Sequence, residues 1–505
     1  MEAFRRILLI LACVAGSDAG AHAQHYDGQP LGTVHFQVSC SPPAQAEFDR
    51  ALALLHHMTY PQARDAFGKA AALDPGCAMA QWGIAMTLFQ PLWPTRPLLP
   101  DRQRGWEAVQ RAKALGPATE RERLWIGSAE AFFREPAAED YWARIRRWAQ
   151  ALEKLHASWP QDPEIAAFYA LSLLSLQPAA GITRANADRA AEVLLEVYRR
   201  NPDHPGAMHY LVHANDVPGR ERELLDVTRK YEETAPHNPH ALHMPTHIYT
   251  RLGDWDGVIR GNLKAAEAAL DYPAGDRGQY VWDEFPHAIE YLVYAYLQKG
   301  DYGDAAAQLE RLQRTANLEP TFKTAFHLAS TRARYALERH DWESACRTPE
   351  REPAFLEWDR FPWPDAIASF AHGLGAARLG KLPDARQAET RLGTLEANAA
   401  GTGEELFARN IRILKLELGA WMAQADNRPE AAIELMQQAV ELEESTPKHA
   451  VTPAPTIPAP ELLGDLLMEQ KKPGDALAAY SRSLALYPNR LNSLRGAAQA
   501  RGAAP

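Results

Sequence analysis

The feature that most constrains this chain is a turn that returns in step with its prolines. Leu252-Gly253-Asp254-Trp255, Lys299-Gly300-Asp301-Tyr302 and Arg339-His340-Asp341-Trp342 each end a polar break on an aromatic residue. Pro205 and Pro239 stand 34 residues apart (239 − 205), Pro236 closes the stretch between them, and Pro286 takes the same phase after a 13-residue insertion. A proline suits the first turn of a helix, where its missing N–H would have no intrahelical acceptor. Near both ends, small residues recur at helical spacing: Tyr60, Ala63, Ala66, Phe67, Ala70 and Pro75, then Ala476, Tyr480, Ser483 and Pro488. Small side chains let helices approach closely, and each proline ends a unit. The chain reads as about eleven antiparallel helix pairs from residue 43 to 487, with a polar capping helix near 490–501 and no β-sheet domain.

These spacings resemble the tetratricopeptide-repeat superfamily. The resemblance implies an all-α, right-handed superhelical solenoid with a concave surface where ligands sit. It divides the chain into a lead segment at 24–42, N-terminal repeats at 43–204, central repeats at 205–346 and C-terminal repeats with the cap at 347–501. Insertions fall at 91–100, 272–284 and 347–364, and a proline-rich break at 453–460 reads as a connection within the array. The run H-A-L-H-M-P-T-H-I-Y-T-R-L-G over 240–253 is similar to a segment of exported bacterial repeat proteins with the form HxxHMPxHIxxRLG, as is the stretch 74–86. That second resemblance supports the repeat fold and brings no established activity.

Charge and length exclude some classes. Lys and Arg number 54 against 64 Asp and Glu, a net charge of −10, and no basic run is interleaved with aromatics. A nucleic-acid or anionic-membrane partner is not expected. The N-terminus reads as an export signal over 1–23: Arg5 and Arg6 precede an apolar run, and Ala21-His22-Ala23 offers a cleavage site. The expected location is periplasmic or secreted. A lipid anchor at Cys13 is the lesser alternative, because the apolar run before it is short and Leu11 fits such a signal poorly. No later stretch is apolar enough to span a membrane. Export permits a disulfide, and Cys40 and Cys77, each just before a helix start, either bridge or stay as buried thiols; Cys346 reads as a core thiol.

Seven of the eighteen histidines lie between His204 and His247. Residues three or four apart on a helix share a face, so His209 with His213, and His243 with His247, each present two imidazoles in one direction. The repeat resemblance implies that His209, His213 and Asp216, then His240, His243, His247 and Arg251, then His287, Glu290 and Tyr294, and finally His327 and Arg334 look into the groove. Paired imidazoles bind zinc, copper, iron or nickel, and His209, His213, His243 and His247 are the expected metal ligands. His240, Arg251, His287, Tyr294, His327 and Arg334 are expected to contact a ligand, with His240, His287 and Glu290 also read as alternative metal ligands, as groups that orient the ligands or, for Glu290 above all, as a general base for bound water. His56 and His57 are placed too far along the array to join, and His449 as ungrouped. Pro245, inside a helical pattern, predicts a kink. Tyr280 and Trp282 in the 272–284 insertion either close over a ligand or anchor the loop.

The favoured reading is an exported repeat protein that holds a protein, peptide or small-molecule ligand in its groove, with a transition-metal site. The alternative is a metal-dependent hydrolase or oxidase using the same histidines and Glu290. A third is a scaffold whose imidazoles only form hydrogen bonds.

Overall fold

The computed structural model describes residues 28–138, 140–176, 184–275 and 277–503. The export signal expected over 1–23 lies outside the described residues. The fold is an all-α solenoid: eleven consecutive helix pairs, from Pro42–His56 with Tyr60–Leu73 to Ala459–Glu469 with Pro473–Leu486, are followed by the helix Leu491–Ala503. Among the described residues the only strands are Pro273–Ala274 and Tyr280–Val281, two residues each, paired antiparallel. They make a hairpin of the 272–284 insertion, whose Trp282 is buried and stacks on Trp93 at 6.1 Å. No helix among the described residues is long and apolar enough to cross a membrane.

The turn signature has a direct backbone cause. Gly253 and Gly300 end their helices in the left-handed conformation, at φ +66° and +79°, which costs a glycine little. His340 takes the same conformation without that freedom, at φ +53°. Two of the aspartates that follow cap the next helix, Asp254 accepting from Gly257 N–H and Asp341 from Ser344 N–H, whereas the Asp301 side chain makes no such bond. Gly253 is doubly constrained, because a Cβ there would lie 2.6 Å from the Pro488 carbonyl oxygen of the final units.

That contact shows how tightly the array winds. Trp255 Nε1 donates to the Asn489 carbonyl at 3.1 Å, and Arg96 binds Glu404 at 2.8 Å across 308 residues. The lead segment is part of the core: Phe36 is buried among Phe48, Trp82 and Trp125, with centroids 5.1–5.7 Å away, a burial that contributes about 2 kcal/mol. Cys40 and Cys77 form a disulfide with Cα atoms 5.0 Å apart, and Cys346 is a free, buried thiol.

Two expectations are corrected here. The winding brings the first pair beside the fifth, so His56 and His57 reach the central histidines: the His56 carbonyl accepts from His209 Nδ1 at 2.6 Å. The proline-rich break is more than a connection. Residues 446–458 form a strap on the inner side, where Arg334 donates to the carbonyls of Ala454, Pro455 and Thr456 and to Thr452 Oγ1.

Candidate metal centre

Four neighbouring helices build the site. Pro205–Asn215 carries His209 and His213 one turn apart, and Pro205 opens it as the spacing requires. The next pair begins with a broken helix: Pro239–His243 carries His240 and His243, Pro245–Leu252 carries His247, and Met244 is the junction. The break falls where Pro245 removes a backbone donor. Glu284–Lys299 carries His287, Glu290 and Tyr291. This helix starts two residues before Pro286, so Glu284 belongs to its first turn. Phe322–Leu337 contributes Lys323, His327 and Arg334. Gly206 lets the first of these helices press on the His56 ring, since a Cβ there would meet His56 Nδ1 at 2.4 Å.

The imidazoles gather as two sets of three. His209, His213 and His240 form one set and His243, His247 and His287 the other, with one nitrogen from each ring within 4.8 Å of its two companions. This corrects the expected grouping of four. His240 and His287, expected as ligand contacts or alternative metal ligands, complete the two triads.

Hydrogen accounting separates these triads from ordinary buried histidines. In the first, His209 Nδ1 donates to the His56 carbonyl and His240 Nδ1 donates to Glu284 Oε1 at 2.9 Å. Both acceptors lack a hydrogen, so in a neutral ring each Nε2 is left as a bare lone pair. Yet these two Nε2 atoms face one another at 3.0 Å, and His213 Nε2 lies 3.1 Å from His209 Nε2. The second triad repeats the arrangement. His243 Nδ1 donates to Asn262 Oδ1 at 2.7 Å, the amide being oriented by its Nδ2 bond to the Val258 carbonyl. His247 Nδ1 donates to Asp216 Oδ2 at 2.9 Å, and the two Nε2 atoms again face each other at 3.0 Å. His287 Nδ1 is buried without a protein partner.

A proton cannot readily fill these gaps. Burial, reinforced by neighbouring imidazoles, pushes His209, His213, His243 and His287 well below the ordinary histidine range. Burial also lowers His247, although Asp216 pulls the other way. Burial works to raise Glu284, but Lys323 at 2.8 Å and His240 hold its carboxyl well below the usual range. Neutral rings, locked at Nδ1 by oxygen acceptors and converging through Nε2, are the arrangement in which a transition ion is bound.

A third cluster, His56, Glu164 and His204, passes the same geometric test for ligand spacing. Here a carboxylate stands between the rings, with His204 Nε2 and Glu164 Oε1 left without a hydrogen bond. His56 Nε2 donates to Glu164 Oε2 at 2.8 Å, and Tyr210 Oη donates to His56 Nδ1 at 3.1 Å. His204 Nδ1 accepts the Ala207 N–H at its helix start, while its Nε2 faces Glu164 Oε1 at 3.3 Å.

The remaining expected groove residues are engaged by the chain itself. Glu290 is not free to activate water: Oε2 accepts from His327 Nδ1 at 2.5 Å, and Oε1 from Ser330 Oγ at 2.6 Å and Arg334 Nε at 3.0 Å. His327 therefore points its own Nε2, buried and without a protein partner, away from that carboxylate. Arg251 binds Asp216 at 2.8 Å, Arg334 holds the strap, and the Tyr294 hydroxyl lies 3.3 Å from Arg490 in a buried ion network. None of the three arginine and tyrosine side chains is presented to an outside ligand. Trp282 anchors its loop. Sequence reasoning missed Glu284, Asn262 and Lys323. The helical spacing that marked the histidines also marks two of these, since Glu284 precedes His287 by three residues and Lys323 precedes His327 by four.

No family model matches the chain, and no curated protein does. Among solved structures it is similar to the Cut9–Hcn1 hetero-tetramer of the APC/C, at 12% identity and TM-score 0.42, covering 92% of this chain and 77% of that one. It is also similar to the human IFIT1 dimer with m7Gppp-AAAA, at 13% identity and TM-score 0.40, covering 85% and 90%. Yeast Tom70 matches at 11% identity and TM-score 0.33, covering 91% and 88%.

Proposed function

We propose that this chain is an exported transition-metal protein in which a tetratricopeptide-like array positions two three-histidine ion sites. The observation that carries the reading is the pair of Nε2···Nε2 contacts at 3.0 Å, His209 with His240 and His243 with His247, between rings whose Nδ1 hydrogens are already committed. Two facing lone pairs repel, and an ion between them turns that repulsion into two bonds of about 2.0 Å. The Cys40–Cys77 disulfide supports an oxidising compartment. The strap takes the inner surface around Arg334, so a ligand for the histidine centre has to fit the small cavity beside it.

Elemental analysis of protein purified without a polyhistidine tag tests the reading. Two transition ions per chain are expected, falling to one when His243 and His247 are both replaced by alanine. Undiminished metal in that double variant, or no stoichiometric metal in the native chain, would end the proposal.

A further inference from the structure

The triads share a space. His213 and His240 from one, and His247 and His287 from the other, line a single small cavity bounded by Trp93 and by Val451 of the strap. The ring centroids of His213 and His247 are 5.8 Å apart, and those of His240 and His243 are 6.2 Å apart. Ions held by the two triads therefore open onto the same cavity.

The donor set narrows the metal. Both triads consist of imidazole alone, with no carboxylate or thiolate among the grouped ligands, which disfavours magnesium, calcium and manganese. Nitrogens 3.0–3.1 Å apart in three of these pairs subtend roughly 100° at an ion with bonds of about 2.0 Å, an angle that zinc and copper both accept. Copper suits an all-imidazole set and stands at the top of the divalent affinity series.

The cavity then selects the occupant. Leu92, Trp93, Pro94 and Val451 give it an apolar wall, and Lys323 at its edge is paired with Glu284 and Asp283. Such a space suits a small uncharged diatomic molecule. Resting on the metal reading above, we infer that the triads hold a pair of copper ions and that the cavity between them takes dioxygen. The step balances without a further reagent. Each Cu(I) gives up one electron and becomes Cu(II), and the two electrons convert dioxygen to peroxide with its O–O single bond intact. No proton is consumed, and reversal returns dioxygen and two Cu(I).

The test uses the full chain without an affinity tag, stripped by a chelator, loaded anaerobically with Cu(I) and then exposed to air. Expected are two coppers per chain, one dioxygen taken up per copper pair, a new near-ultraviolet absorption band, and almost no paramagnetic Cu(II) signal because the paired spins cancel. The variants His240→Ala and His287→Ala, one in each triad and each checked for helicity by circular dichroism, should keep one copper, lose uptake and show an isolated Cu(II) signal. A full Cu(II) signal from the native chain with no dioxygen uptake overturns the copper pair. Two zinc ions retained against a copper challenge also overturn it, while leaving the metal reading intact. No stoichiometric ion of any kind overturns both. Should the variants fail to fold, the uptake stoichiometry of the native chain still decides.

Discussion

The His56–Glu164–His204 cluster and the two histidine triads are near neighbours built from the same materials, and they differ in where the hydrogens go. Both are buried, both bring three potential ligands within bonding range of one ion, and they touch through the His56 carbonyl. In the first, a carboxylate stands between two imidazoles, and the Tyr210 hydroxyl and the Ala207 N–H donate to the far ring nitrogens. In the triads, oxygen acceptors lie at the far side of four rings, and bare nitrogens converge on one another. Convergence alone therefore does not mark an ion site. What distinguishes the triads is that ring nitrogens converge on one another while four of the six rings already commit their Nδ1 hydrogens elsewhere.

Experiments can break that distinction from either side. The largest effect expected is on metal content: His209→Ala with His240→Ala removes one ion per chain, whereas His204→Ala removes none, by elemental analysis. Equal loss in the two would erase the contrast. Next, Glu164→Leu should lower stability by about 3–5 kcal/mol in urea denaturation of the stripped protein, because it leaves buried imidazole donors without an acceptor, while the holo protein keeps both ions. Asn262→Leu should preserve the fold yet weaken the ion in its triad by about 10- to 100-fold in chelator competition, since Asn262 fixes the tautomer and tilt of His243.

The smallest effect at any one unit of pH is that of a single buried histidine. Burial pushes His57 down to about 3, where its neighbours are Tyr231 and the Leu31 carbonyl. Its folded pKa lies below the unfolded value of about 6.5, so the unfolded chain binds the extra proton. The stability it supports is complete above pH 6.5 and is lost as pH falls toward 3, by at most about 1.4 kcal/mol per unit. Urea midpoints of stripped protein across that window should show the slope, and His57→Gln should reduce it by that one group's share, the lowered triad histidines keeping the rest.

Much of this was legible in the sequence, for reasons that also explain the remainder. Pro205, Pro239 and the Gly-Asp-aromatic turns fix helical phase, and that phase together with the repeat resemblance implies that His209, His213, His243 and His247 face inward. Phase does not report axial offset between helices, so the division into triads, with His240 beside His209 and His287 beside His243, had to come from packing. Curvature was equally invisible. The approach of His56 to His209 spans 153 residues and depends on the summed twist of several helix pairs. The strap escaped notice because its prolines describe an extended segment and say nothing of which surface it crosses. Glu290 was misjudged for a different reason: its partners His327, Ser330 and Arg334 sit on the next helix, one to two turns apart, where spacing along its own helix gives no sign of them.

Asp216 joins these regions in one carboxylate. It accepts from His247 Nδ1 and Arg251 Nε, and it pairs with Lys448 of the strap at 2.7 Å. The acceptor that steers a histidine is thus also the peg that fastens the cover over the cavity. Residence time and affinity then become separable quantities. An ion held by His247 would exchange with solvent only past 446–458, and seating it would, by firming His247 and through it Asp216, favour the covered arrangement in return. The centre would behave less like an open cup than like a latch that its own contents help to keep shut.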